Sequence, residues 1–224
     1  MRTFGLFVLG VVAWLVFLVV QVPASYALAH GAPPPGVTFD DVHGTLWHGD
    51  ARATLRNGGA MIVVDRLAWD FRPLRLFAGR LAYDIEARSP GLEAHGRVEH
   101  GFGGFTADHV SARADATLVP VLFPLAAAWQ PKGTVTVEAP QLAWNEREIT
   151  GAARAEWTGA QAAMPQPRAL GNYRAELQGS GGPAKLTVRT LSGDYAVRAT
   201  GTVTPQRIEL RGQAGGQDFS VALP

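Results

Sequence analysis

Six histidines and a scatter of carboxylates are the residues of this chain with the most chemical reach. His43 and His48 are five positions apart, as are His95 and His100. Along an extended strand an odd spacing sends the two rings to opposite faces, about 16 Å apart at ~3.3 Å per residue. One ion with ligand bonds of ~2.0–2.1 Å cannot bridge that gap, so these read as surface or structural histidines and no metal site is expected. A hydrolase needs a nucleophile linked to a base and an orienting group. The serines, Ser25, Ser89, Ser111, Ser180, Ser192 and Ser220, stand alone and outside any G-x-S-x-G turn. Asp40 and Asp41 form an acidic pair of the kind found on many surfaces, without the context of a glycosidase dyad. Lys132 and Lys185 lack the glycine-rich loop that cradles phosphate. The expectation is a non-enzymatic protein with no catalytic residue, no cofactor and no metal.

Tryptophan beside glycine is the stronger local signal. Trp47 lies between Gly44 and Gly49, and Trp69 precedes Pro73. A large aromatic next to glycine in a strand packs over the gap left by the missing side chain, which makes these residues packing positions first. If the sheet that carries them has an uncovered apolar face, the same residues would border a groove for an acyl chain or a partner strand.

The elements that must hold these residues are strands. Leu81, Tyr83, Ile85 and Ala87 alternate with Ala82, Asp84, Glu86 and Arg88; Val135 and Val137 alternate with Thr134, Thr136 and Glu138. Leu186 and Val188 oppose Lys185, Thr187 and Arg189, and Tyr195, Val197 and Ala199 oppose Asp194, Ala196 and Arg198. This is the period of half-buried strands. Turn signals at 56–59, 89–91, 101–104, 178–183, 192–193 and 214–216 are spaced for hairpins. The reading is a mainly β fold of about ten to thirteen strands. They form an antiparallel meander that makes a curved open sheet, a sandwich or a partial barrel. Leu118–Trp129, apolar with two prolines, is a short helix or apolar loop between halves at 37–117 and 131–224. Trp47 and Gly49 are echoed by Trp157 and Gly159, and Leu67-Ala-Trp69 by Leu142-Ala-Trp144, which suggests an internal duplication.

Before the strands, Phe4–Val20 contains only apolar residues and glycine. A helix over 4–22 would rise about 28 Å, close to the ~30 Å of a hydrocarbon core, and Pro23 ends the run. Ala27-Leu28-Ala29 offers a competing signal-peptide cleavage site, but the run exceeds the ~7–15 apolar residues of a signal sequence. An uncleaved anchor is the better reading. Arg2 lies before the run and no Lys or Arg follows until Arg52, so residues 1–3 are expected inside, with a Pro-rich linker over 23–36 and a β domain over 37–224 outside. Apart from Arg2, the 20 Lys and Arg leave 19 against 19 Asp and Glu, a balance with no basic field for nucleic acid. There is no cysteine, so no disulfide framework holds the exported part.

In this order, behind an N-terminal anchor, the motifs resemble the type II secretion system protein N family. They are Gly44-Thr-Leu46-Trp47-His-Gly49, Leu67-Ala-Trp69 with Pro73, Gly133, Leu142-Ala-Trp144, and Gly171-Asn-Tyr173, with Trp157 in the echo. The resemblance implies an accessory, single-pass bacterial inner-membrane component with its bulk in the periplasm. Its expected partners are the inner-membrane platform proteins and the secretin, and no catalytic residues come with it. The G-x-L-W-x-G pattern is also similar to lipid-transfer proteins with open β-sheets, so a periplasmic lipid- or hydrophobic-ligand-binding protein is the alternative.

Overall fold

A computed structural model describes residues 14, 20–31, 35–57, 59–163 and 168–223. All thirteen strands among them join a single antiparallel sheet in which each strand pairs with its neighbours in sequence. In chain order they are β1 (Val37–Gly44), β2 (His48–Asn57), β3 (Ala60–Phe71), β4 (Arg80–Ser89), β5 (Leu92–Gly101) and β6 (Gly104–Asp115). After a long connection come β7 (Pro131–Trp144), β8 (Ile149–Ala162), β9 (Arg168–Ser180), β10 (Ala184–Ser192), β11 (Val197–Thr204), β12 (Arg207–Ala214) and β13 (Gln217–Leu223). β1 pairs only with β2, and β13 only with β12, so the sheet is open. Of the three architectures compatible with the alternation, the open sheet is the one formed.

Cross-strand register explains why the alternation is so regular. One transverse row runs Ala51, Leu67, Ala87, Ala94, Ala112, Val137, Ala155, Ala175, Val188, Ala199, Gly212 and Phe219, from β2 to β13. The row beside it carries Arg88, Glu93, Arg113, Thr136, Glu156, Arg174, Arg189 and Arg198. Side chains directly opposite each other share a face, so one face is mainly apolar and the other is a lattice of charges. Bulges keep the faces in phase where strands gain a residue: at Asp41 and at His109, both with positive φ. On the charged face Arg174 reaches Glu156 at 2.8 Å, and Glu176 has Arg154, Arg174 and Arg189 around it. Such exposed pairs are each worth about 0–1 kcal/mol and serve solubility and register more than stability.

Among the described residues no second sheet lies over the apolar face, since every strand belongs to the same sheet, although the sheet curls far enough at one end for Gln206 in the β11–β12 turn to donate to the Glu146 carbonyl in the β7–β8 turn at 2.7 Å. Ala87, Ala112, Val137, Ala155, Ala175 and Val188, in the middle of the sheet, are accordingly only half-buried. The connection between β6 and β7 is the exception. It consists of a 3₁₀ turn, the four-residue helix α2 (Val119–Leu122) and a second 3₁₀ segment (Pro124–Trp129). It packs against β2 and β3, where the Asn57 side-chain amide donates to the Val121 carbonyl at 2.9 Å and Pro120 and Val121 are buried. β6 also pairs directly with β7, so the hydrogen-bonded ladder continues past this connection.

Residues 4–13 and 15–19 lie outside the described residues, and with them most of the expected membrane span. Among the described residues no helix is long and apolar enough to cross a membrane. The segment that follows is not wholly extended: Ala24–His30 form a short helix, α1, against β1. Leu46 N–H donates to the Val22 carbonyl at 3.0 Å, and Pro23 bridges Thr45. The chain therefore enters the fold at the β1–β2 turn. The turns at 44–48, 71–80, 101–104, 144–149, 180–184 and 204–207 share that end of the strands, called here the tether end.

Candidate functional site

Of the motif residues, the first group assembles at the tether end. Gly44 closes β1 with φ +85°, a conformation that favours glycine. Gly49 sits directly across from Trp69, and a Cβ there would come within 2.7 Å of the indole. Glycine thus makes the room that the tryptophan fills. The indole Nε1 donates to the Thr45 carbonyl at 3.1 Å, which ties β3 to the β1–β2 turn. Trp47 packs 4.7 Å from Phe71, which lies 5.2 Å from Tyr83, and the Phe71 N–H donates to the Trp47 carbonyl. Leu46, at the edge of the group, is 36% exposed. Pro73 opens the 3₁₀ segment Pro73–Ala78, where its fixed φ and missing N–H suit the first position.

The second group lies at the opposite end of the strands. Trp157 on β8 donates its indole N–H to the Lys132 carbonyl at 3.0 Å and faces Tyr173 at 6.0 Å. Gly133 takes φ +110°, and a Cβ there would lie 2.6 Å from the Gly159 carbonyl oxygen. Gly171, at φ +120°, lets β9 approach the Ser192 backbone. The Tyr173 hydroxyl lies 2.9 Å from the Leu170 carbonyl and 2.8 Å from that of Tyr195, and burial pushes its pKa up. Trp144 joins neither group. It ends β7 at the tether end, 5.7 Å from Phe105 and nearly parallel to it, with His100 on the other side of Phe105 at 4.4 Å. Together with Trp47, Phe71 and Tyr83, these rings make an aromatic rim along the tether end of the apolar face.

Two sequence readings need correction here. His43 and His48 do not lie along one strand: they flank the β1–β2 turn, so the 16 Å separation does not apply to them. His95 and His100 do share β5 and point to opposite faces, paired with Glu86 and Leu81 respectively. Nor does the Trp47 and Trp157 echo mark equivalent places. Trp47 precedes its strand at the tether end, whereas Trp157 lies late in β8 at the far end. Trp69 and Trp144 fit better, each near the tether end of a strand running the same way.

Sequence pattern missed a charged group. Glu99 on β5 is 1% exposed, covered by the 3₁₀ segment Pro73–Ala78. Its carboxylate accepts from Arg80 Nη1 at 3.2 Å and lies 3.2 Å from Arg75 Nε. Held by that clamp, the segment presents Leu74 at 78% and Phe77 at 90% exposure, and the neighbouring β5–β6 turn presents Phe102 fully to solvent. Nearby on the charged face, partial burial draws Asp84 upward. Hydrogen bonds and positive charge from Arg97 at 2.7 Å and from Arg72 outweigh it and hold the carboxyl below the ordinary carboxylate range.

That lowering fixes the sign of a pH effect. A folded-state pKa below the unfolded value near ~3.9 contributes stability that is present above that value and lost as pH falls through the folded pKa. In acid titrations followed by circular dichroism, Asp84→Asn is expected to lose stability at neutral pH and to show less acid dependence below about pH 4 than the unaltered protein.

Among the described residues no three His, Cys, Asp or Glu side chains converge to hold a metal ion. What the geometry offers instead is surface: an open sheet, an apolar face with an aromatic rim, and the segment from Val22 entering beside that rim. The model of the type II secretion system protein N family matches residues 35–222. This chain belongs to that family. The protein N match begins at the first strand and runs almost to the end of the last, so it takes in the whole sheet rather than one motif within it. Membership makes the chain a component of the type II secretion machinery. Neither curated proteins nor solved structures give a match.

Proposed function

We propose that this protein serves type II secretion as a non-catalytic accessory component. An uncleaved N-terminal span holds it in the inner membrane with residues 1–3 in the cytoplasm, and its sheet docks on other subunits in the periplasm. The observation that carries this reading is the open sheet matched by the family model from end to end. Its last strand, β13, has a partner on one side only, and Val221 in it is 43% exposed. An unpaired edge is a ready template for an added strand, with main-chain hydrogen bonds for affinity and alternate side chains for specificity. Docking partners are sought among the inner-membrane platform proteins and the secretin. The chain lacks cysteine, so Ser220→Cys gives a unique handle on this edge. Cross-linking in intact envelopes is expected to join Ser220→Cys to another secretion subunit, and deletion of the gene to lower export. Recovery of no secretion subunit together with unchanged export would reject the reading.

A second reading, a groove for lipid or another hydrophobic ligand, is favoured by one observation: the half-buried apolar row that crosses the sheet without a layer above it.

A further inference from the structure

We infer that the apolar face takes up the acyl chains of bilayer phospholipid, which reach it at the tether end. The inference deepens the second reading above and rests on it, and it also uses the N-terminal span. The floor of the groove is the transverse row, in which small residues dominate: Ala87, Ala94, Ala112, Ala155 and Ala175. Larger side chains stand on both sides of it. Leu92, Val135 and Trp157 line the far side; Ile85, Val110, Leu177 and Leu186 line the tether side, where Gly96, Ala139 and Ala153 lower the wall in mid-sheet. Small residues between interrupted rows of larger ones make a shallow apolar channel across the strands. Spanning twelve strands at ~4.8 Å each, it is on the order of 50 Å long. A channel that long, narrow and without polar anchors on its floor fits a flexible hydrocarbon chain.

Three observations point to the bilayer as the source. The apolar run of the sequence before Val22 is followed by the hydrogen bond between Leu46 and Val22, so the span proposed above would set the bilayer beside the tether end. At that same end Leu74, Phe77 and Phe102 stand out from the surface, the kind of side chain that inserts into an interface. The rim of Trp47, Phe71, Tyr83, Phe105 and Trp144 places amphipathic rings where headgroups would lie. A cavity of about 690 Å³ opens beside Phe105 and Trp144, between the β5–β6, β7–β8 and β11–β12 turns, with the Gln206 amide bonded across it to the Glu146 carbonyl at 2.7 Å. It gives an acyl chain a way past the rim. At the opposite end of the strands the channel is partly blocked by α2 and its flanking turns over β2 and β3.

The test uses the full chain reconstituted into phosphatidylethanolamine and phosphatidylglycerol vesicles. A trace of phospholipid carries a photoactivatable diazirine at the acyl terminus, and labelled residues are read by mass spectrometry. The expected result is labelling on the floor and walls from β5 to β10. That labelling should fall about tenfold in Ala155→Arg, which sets a charge on the floor, and in Ala112→Phe, which fills it, while labelling of residues 1–22 is unchanged. Both variants are checked for an unaltered β spectrum. Labels confined to residues 1–31 and to Leu74, Phe77 and Phe102 would overturn the inference, because the tip would touch the bilayer without admitting lipid. A parallel arm with a diazirine fatty acid and the detergent-solubilised chain separates the two failures. Groove labelling by free fatty acid alone would refute the bilayer source while keeping the hydrophobic groove, and none in either arm would remove the groove altogether.

Discussion

Replacing Arg75 and Arg80 together with alanine is expected to destabilise the sheet by about 3 kcal/mol, more than replacing Glu99 with leucine. The asymmetry follows from where each charge sits. Glu99 is 1% exposed beneath the Pro73–Ala78 segment, whereas the two arginine side chains are 44% and 50% exposed. An arginine stripped of its partner stays hydrated. A carboxylate left in that buried position loses both cations at once, so much of its desolvation penalty goes uncompensated. Leucine removes the buried charge itself and returns apolar contact, which brings its cost nearer zero. Urea denaturation of the double arginine variant, Glu99→Leu and Glu99→Gln reads the difference as a shift in midpoint at constant slope. Equal losses in all three would mean that the segment is held by its backbone packing and not by the clamp. The Gly79 backbone, whose αL conformation ends the segment and whose N–H donates to the Leu76 carbonyl at 2.9 Å, is the alternative holder.

At the Trp69 site two substitutions report on the same contact from opposite sides. Trp69→Ala empties the space over Gly49 and removes the indole hydrogen bond to Thr45; large-to-small changes of this kind cost about 3 kcal/mol, here from a half-buried position. Gly49→Ala pushes a methyl against the His43 carbonyl oxygen and, at 2.7 Å, against the ring, an overpacking worth about 1–3 kcal/mol. The two are coupled. With the ring gone, the clash with the ring is relieved while that with the His43 carbonyl stays, so the double variant is expected to cost less than the sum of the singles. Thermal denaturation of the four proteins measures that coupling. Strict additivity would show that the tryptophan does not fill the glycine gap.

Much of the strand layout is legible in the order of the residues. Ile85, Ala87, Val137 and Val188 alternate with charges because one face of each strand turns away from water, and that constraint is local, two residues long and unaffected by what pairs with what. Hairpin turns are marked by glycines at Gly91, Gly104 and Gly215, each with positive φ, which other residues rarely adopt. The tryptophan and glycine pairing is readable for the same reason, as a matter of volume. What the alternation does not reveal is anything set by distant strands. A closed barrel, a sandwich and an open sheet impose the same period of two, so openness depends on whether β1 meets β13. Glu99 looks like another outward charge because its cover comes from a segment over twenty positions earlier. The bulges at Asp41 and His109 leave no composition signal, since neither residue is glycine. Ala24–His30 form a helix where proline-rich neighbours suggest extended chain, and its packing on β1 supplies the stability that seven residues lack alone.

Edge docking and lipid uptake both require an unclosed sheet whose apolar face stays accessible. Because the protein has no cysteine, a spin-label pair at Thr38→Cys on β1 and Ser220→Cys on β13 can be introduced without background and its separation measured by pulsed electron resonance on the full chain in vesicles. Thirteen strands in sequence order place the two edges up to about 58 Å apart along the sheet, so a separation of several strand spacings is predicted. A distance near the ~5 Å of paired strands would mean that the edges join, and it would contradict both the free edge and the open groove.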